Sequence, residues 1–403
     1  WSAATSTTPG HASILTGLPV ERHGSVSNRS DLDPALETVA EALAARGYQT
    51  AASVAVDHIG PEAGFAQGFD RFRPPRPGDA ADGARSVETV LRWIDGWSGD
   101  DRRPFFLWVH LFDPHTPYGP PLEFIAGELA ERGLVLPPRR VEPPTVPIFP
   151  GPLPTPLAWL EGITSRRHVD ALYRAGVAYA DHLVGRLVDR FDALGLTEDT
   201  VFVVTADHGE ALGEQGVFYQ HAGLFPASLR VPLIVSGPGW RGGIRTDARV
   251  STLDVRPTLV AIADRDGAAS PLARSLDAPD PGRRVWFAEV GLAQLGFRDA
   301  EVHFAHALAA GQFGVLLDER ETGPYVRAIQ RYAPGASWLF DVRADPGLAH
   351  NLARDPGAGI DRYRGLVRER ARGSAARARH RPIDDDAEAE LRALGYTDDA
   401  GDR

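Results

Sequence analysis

A chain of 403 residues with 43% hydrophobic content is long enough to bury a large α/β core and a smaller second one. Its net charge of -11 argues against a nucleic-acid partner, which a basic patch would bind, and leaves anion binding to a locally positive site such as a metal ion. Cysteine is absent, which excludes disulfides and thiol catalysis, and all 43 basic residues are Arg, so any phosphate contact must come from Arg, His, backbone N–H or a metal.

In chain order, the first segment reads as loop and then helix, with Thr8 as N-cap, Pro9 at the first helical position, Ala12 to Thr16 continuing the helix and Gly17 ending it. Leu36, Val39 and Leu43 recur at helical spacing before Gly47, and Thr50–Val56 reads as a buried strand. Residues 105–112 (FFLWVHLF) form a continuous apolar run suited to a central parallel strand. The Pro-rich stretch 133–157 reads as a surface excursion. A long helix follows over Arg167–Leu194, with Val169, Leu172, Leu183, Leu187 and Phe191 on its apolar face and Gly195 after it. Strands are expected at 201–205 and 231–236, and the alternation with helices predicts a parallel, doubly wound sheet over residues 1–265. A Gly/Ser/Pro/Asp-rich linker (266–283) then leads to a smaller α+β domain (284–403), with strands at 285–290, 313–317 and 337–342 and helices near 358–378 and 385–394. No apolar run reaches the ~18 residues needed to span a membrane.

In an open α/β sheet, ligands bind beyond the carboxyl ends of the strands. Strand 201–205 runs into Asp207-His208-Gly209, a carboxylate and an imidazole able to share one divalent cation; the plainer reading is an Asp capping the next helix beside a surface His. Strand 105–112 runs into Asp113-Pro114-His115, which offers a His to a leaving group or, more simply, a turn. Thr7 lies at a helix N-terminus, where N–H groups and the helix dipole favour an anion, and its hydroxyl could attack an ester there; Thr5, Ser6 and Thr8 compete with it as ordinary caps.

Taken together and in order, four segments resemble the sulfatase family of the alkaline phosphatase superfamily: Thr7-Thr8-Pro9-Gly10-His11 with Thr16-Gly17; PFFLWVHLFDPHTPY (104–118); VVTADHGEALG (203–213) followed by His221 and 229–234 (LRVPLI); and WLFDVRADPGLAHNL (338–352). The resemblance implies an alkaline-phosphatase-like three-layer α/β sandwich with a mostly parallel central sheet and a smaller C-terminal α+β domain. It implies a metal-dependent hydrolase of sulfate or phosphate esters, with Thr7 as metal-bound nucleophile, Asp207 and His208 as further metal ligands, and His115 and His221 meeting the ester oxyanion or leaving group. His11, Asp113 and Gln220 are carried over as substrate-binding. The cofactor is one or more divalent ions: Asp, His and Thr oxygen suit Ca²⁺, Mn²⁺ or Zn²⁺, and the imidazole leans away from Ca²⁺.

Three departures shape the expectation. Thr7 cannot be the Cys or Ser precursor of formylglycine, so no formylglycine is expected; with His11 following, this shifts the reading from sulfate esters toward phosphodiesters. Gln220 stands where many sulfatases have Lys, and Asp57-His58 stands where an active-site Lys and His are expected, His58 reading as a surface loop residue. Finally, the family's first strand and its Asp ligands lie before the nucleophile, so they are expected upstream of Trp1, with any signal peptide, and weak metal binding is expected of the chain as it stands. The resemblance favours a periplasmic or secreted location and a small-molecule, glycan or lipid ester as substrate. Competing readings are a phospho-alcohol transferase and a catalytically inactive sulfatase-fold binding protein.

Overall fold

The computed structural model describes residues 1–75, 82–97, 103–135, 166–265, 271–272, 280, 283–289, 294–308, 311–320, 323–345 and 347–372. Most of the Pro-rich excursion, most of the linker and the helix expected at 385–394 lie outside these residues.

Strand β1 (Gln49–Ser53) is buried along its whole length and pairs in parallel with β2 (Arg71–Arg73) on one side and β3 (Phe105–Val109) on the other. The apolar run 105–112 is thus a parallel strand, but β1 rather than β3 is the inner one, and every β3 residue is only half-buried. Both strands are shorter than expected. Val54, Ala55 and Val56 leave the sheet yet stay buried in the cluster built on Leu15, Leu43, Phe65 and Phe112.

Helix α3 (Val39–Ala44) begins at Thr38, whose hydroxyl accepts from Glu41 N while Glu41 reaches back to Thr38 N. This reciprocal cap satisfies two backbone donors and sets the start of the helix after Leu36, which the spacing alone had placed inside it. Two longer helices, α4 (Gly83–Trp97) and α6 (Arg166–Ala193), which the shorter α5 (Leu122–Glu131) separates in the chain, cover β3 and the next strand, β4 (Phe202–Thr205). The periodicity of α6 is as expected: Val169, Leu183 and Phe191 are buried, and Gly195 follows with φ 67°. Phe191 bridges Phe105 and Phe202 at ring separations of 5.7 and 5.2 Å, so β3 and β4 share one apolar cluster.

The segment 231–236, expected as a further parallel strand, is β7 (Leu233–Ser236) and runs antiparallel to β4. The connection between them explains this. It holds a short hairpin, β5 (Ala211–Leu212) with β6 (Phe218–Gln220), and a single helical turn, α7 (Pro226–Leu229), with no helix long enough for the crossover a parallel pair requires. Helix α8 (Val255–Ala263) then packs on α3.

Beyond it lies an antiparallel sheet of β8 (Val285–Ala288), β9 (Gln294–Arg298), β10 (Val302–Ala307) and β13 (Ser337–Asp341), in the order β13-β10-β9-β8, with a long hairpin of β11 (Gly311–Arg320) and β12 (Gly323–Tyr332). Helix α9 (Ile360–Arg372) lays Tyr363 and Val367 against Phe297 and Phe304 of this sheet. The chain start joins the two regions: Ser2 N donates to Leu229 O (2.7 Å), and Ala4 bridges Ala288 in parallel. The architecture is therefore the α/β class expected, a parallel sheet followed by a C-terminal antiparallel region.

Candidate active site

Helix α1 (Thr7–Thr16) starts two residues earlier than the sequence suggested. Ser6, extended at φ -145° and ψ 157°, holds the N-cap position, and Gly10 N donates to Ser6 O at 2.9 Å. Thr8 cannot cap because it lies inside the first turn. Its N–H is taken by Asn28 Oδ1 at 2.9 Å, and its hydroxyl donates to His58 O at 2.9 Å. An amide from a distant loop thus does the capping that a local hydroxyl would otherwise do. Thr7, wholly buried, is the first helical residue, at the positive end of the helix dipole.

The strand ends converge on it. Beyond β4, Asp207 and His208 lie under α1, with His208 Nε2 3.5 Å from Thr7 Oγ1. Close approach is built into two glycines. A Cβ on Gly10 would lie 2.9 Å from Asp207 O and 3.0 Å from its Cβ, and one on Gly209 would lie 2.1 Å from Ala227 O. His11, one turn along α1, donates from Nδ1 to Thr7 O at 2.9 Å and sits 3.4 Å from Asp207 Oδ2. Beyond β3 comes His115, stacked on Phe112 at 4.1 Å, and beyond β6 comes His221, its ring centre 4.0 Å from that of His208 and 5.4 Å from that of His115. Thr7, His11, His115, Asp207, His208 and His221 are thereby brought into one buried site.

One of the expected residues, Asp113, stands apart from the imidazoles. The Asp113 carboxylate lies against Gly83 at the start of α4, and burial pushes its pKa up to about 6. Gln220 ends β6, in register with Ala211 and next to His221. Four residues join the site or its supports without having been singled out for that role. His110, the one polar side chain in the apolar run at 105–112, is buried edge-on to His11 at 4.9 Å. His58, expected at the surface, is 4% exposed. Its turn, Asp57–Ile59, packs against α1 through the Thr8 contact. Glu210 is buried beside Tyr118. Glu289, just beyond β8, accepts from Gly223 N at 2.8 Å and from the Tyr332 hydroxyl at 2.5 Å, and so ties the loop after His221 to the C-terminal sheet. No short-range signal marks Glu289, because its partners lie 66 and 43 residues away.

Burial dominates the electrostatics. It pushes the His115 imidazole down to about 3, holds His221 and His110 well below the ordinary range and holds His11 below it. Burial pushes Glu210 up to about 8 and Glu289 up to about 7. Asp207 is the exception. Burial alone would raise it, but His208, His11, His110 and His115 together outweigh that and hold its carboxyl below the usual range. Asp207 Oδ2 is buried and makes no hydrogen bond, with His11 Nδ1 at 3.4 Å and His208 Nε2 at 3.5 Å beside it. An orphaned buried carboxylate oxygen facing imidazole and hydroxyl groups fits a divalent cation. Among the described residues, no helix is long and apolar enough to cross a membrane.

Known proteins extend the comparison. The chain is 26% identical to a choline-sulfatase of Rhizobium meliloti over 88% of its own length and 74% of that protein. It is 27% identical to an ulvan-active sulfatase of Formosa agariphila over 67% of its length, spanning about half (48%) of that relative. Among solved structures, it superposes on the phosphonate monoester hydrolase of Silicibacter pomeroyi with a TM-score of 0.61 at 18% identity, covering 95% of this chain and 91% of that one; the shared fold is alkaline-phosphatase-like. The sulfatase family model matches residues 1–265, the span that carries every imidazole and carboxylate of the site except Glu289, and the chain belongs to the sulfatase family of ester-hydrolysing enzymes.

Proposed function

We propose that the chain is a metal-dependent hydrolase of sulfate or phosphate esters in which Thr7 is the nucleophile and phosphodiesters are preferred to sulfate esters. The observation that carries this is the placement of Thr7 Oγ1: wholly buried, at the N-terminus of α1, 3.5 Å from His208 Nε2, with the rings of His221 and His115 centred 4.0 and 5.8 Å from that of His208. A helix N-terminus favours the anionic group of an ester, and the facing imidazoles bound the space where its oxygens must lie. Asp207 and His208, with Thr7, would hold the ion, which supplies Lewis acidity and acidifies the hydroxyl beside it.

Attack by Thr7 Oγ1 forms an O–P bond and breaks the bond to the ester alkoxide, which takes up a proton and departs. Water then cleaves the Thr7 phosphoester and frees the hydroxyl. A threonine sulfate has no aldehyde hydrate through which to eliminate, so it must be hydrolysed directly; the phosphorylated residue is the more tractable intermediate. The fold shared with a phosphonate monoester hydrolase supports this preference, whereas the sulfatase names of the relatives support sulfate. The alcohol portion is a small molecule, a glycan or a lipid.

The test is turnover of an aryl phosphodiester, an aryl phosphonate monoester and an aryl sulfate by the metal-loaded chain. Phosphodiester or phosphonate turnover should exceed sulfate turnover, and Thr7→Ala should lower it by roughly a thousandfold or more. Faster sulfate turnover would overturn the preference, and full activity in Thr7→Ala would remove the nucleophile.

A further inference from the structure

We propose that Glu289 is a positioning residue for ester cleavage, one that sets where His221 stands relative to Thr7 by holding the backbone at Gly223. This rests on the reading above, in which Thr7 attacks the ester and His221 meets it, and it gives the C-terminal sheet a part in the reaction.

The contacts around Glu289 close into a ring. Ala288, the last residue of β8, donates its N–H to Ala3 O at 2.9 Å and bridges Ala4, so the segment that leads into Thr7 is registered on that strand. The next residue, Glu289, accepts from Gly223 N at 2.8 Å. Two residues before Gly223 stands His221, whose Nδ1 donates to Thr5 O. Thr5 lies two residues after Ala3 and two before Thr7. Strand end, nucleophile segment and His221 loop are therefore tied each to the other two, with one or two residues of chain between successive ties. Such short spans leave little slack, so the link from Glu289 to Gly223 fixes the imidazole against the nucleophile.

Glu289 is itself held in place. Its second oxygen, Oε2, accepts from the Tyr332 hydroxyl, and both side chains are buried. Burying a carboxyl group is costly, and the hydrogen bonds on its two oxygens offset that cost. An apolar side chain would fill the same space without it, so what this position supplies is an acceptor. One peptide further along the loop, His303 of β10 donates from Nε2 to Leu224 O at 2.6 Å, and Leu224 packs with Val285, Phe287 and Ala305 of the same sheet. Leu224 is thus anchored by packing as well as by a hydrogen bond. Gly223 has no side chain to pack, and its buried N–H depends on Glu289. Loss of the carboxyl group would leave that N–H without this acceptor, a cost the loop relieves by shifting, and His221 moves with it.

The test is a double-mutant cycle on kcat, with the metal-loaded chain and the aryl ester it turns over fastest. Glu289→Ala should lower kcat by about tenfold to a hundredfold, the cost of a displacement of up to about 1 Å. Glu289→Gln, whose amide oxygen still accepts from Gly223 N and whose amide nitrogen donates to the Tyr332 oxygen, should restore kcat to within about threefold of wild type. His221→Gln should lower kcat by roughly a hundredfold or more, and adding Glu289→Ala to it should cost no more than about twofold, because the residue through which Glu289 acts is already gone. Val367→Ala, which opens space in the core between α9 and the C-terminal sheet, should lower the melting temperature and leave the kcat of the folded protein unchanged. Circular dichroism and melting show that each variant is folded at the assay temperature; should Glu289→Ala not fold, Glu289→Leu, which keeps most of the bulk and lacks the acceptor, takes its place. Wild-type kcat in the folded Glu289→Ala protein, a Glu289→Gln protein as impaired as Glu289→Ala, or full additivity with His221→Gln would each overturn the proposal alone. Unchanged turnover in Thr7→Ala or His221→Gln would overturn the reading beneath it, and the proposal with it.

Discussion

Gly10→Ala tests whether the contact between α1 and the Asp207 turn positions the reacting groups. The new methyl would lie 2.9 Å from Asp207 O and 3.0 Å from Asp207 Cβ, both rigid atoms. Ordinary contact begins near 3.4 Å. The helix and the turn must therefore separate by about 0.5 Å, a shift borne by Thr7 on one side and His208 on the other. Overpacking of this kind costs about 1–3 kcal/mol, while alanine gains back about 1 kcal/mol of helix propensity, so the net loss of stability is about 1 kcal/mol. The effect on turnover should be larger in proportion. A misplacement of about 1 Å can cost roughly a hundredfold, so half that distance implies about tenfold in kcat. Gly185→Ala is the control: Gly185 lies within α6, and nothing stands within 4 Å of its added Cβ. It should gain up to about 1 kcal/mol and leave turnover unchanged. Urea unfolding and ester turnover of both variants decide the matter. A Gly10→Ala protein as stable and as active as Gly185→Ala would refute the positioning argument.

Two further substitutions probe the supports of the site. Glu289 titrates near 7 in the folded chain against an ordinary value of 4.5, so its stabilising contribution is complete below pH 4.5 and is lost as the pH rises through 7. The total is about 3 kcal/mol, and Glu289→Gln should flatten the fall in melting temperature between pH 5 and pH 8; an unchanged profile would show that Glu289 ionises freely. Glu21 and Arg370 form an ion pair joining α2 (Val20–His23) to α9, with the Arg370 guanidinium 4.4 Å over the Trp286 ring. Glu21→Gln should cost about 1–3 kcal/mol, because Arg370 stays partly buried without its counter-charge, and adding Arg370→Met should recover most of it; a double variant no more stable than the single one would refute that reasoning.

Local chemistry made much of this protein legible before its fold was known. The helix over 166–193 follows from five apolar residues at helical spacing and a glycine that takes positive φ at its end. The strands at 105–109 and 202–205 follow from short apolar runs. Asp207, His208 and His115 were readable because strand ends are where an open sheet binds its ligands, and His221 and Thr7 because their motifs keep family order. What stayed hidden depends on contacts between distant parts of the chain. The antiparallel direction of β7, the capping of α1 by Asn28, the burial of His58 and His110, and the tie from Glu289 to Gly223 each join residues that no period or spacing connects. The hydrogen bonds from Nδ1 of His115, His208 and His221 to the carbonyls of Thr116, Gly209 and Thr5 belong to the same class. Residue type makes a histidine a possible ligand, but only the backbone around it fixes which nitrogen carries the proton and where the other one points.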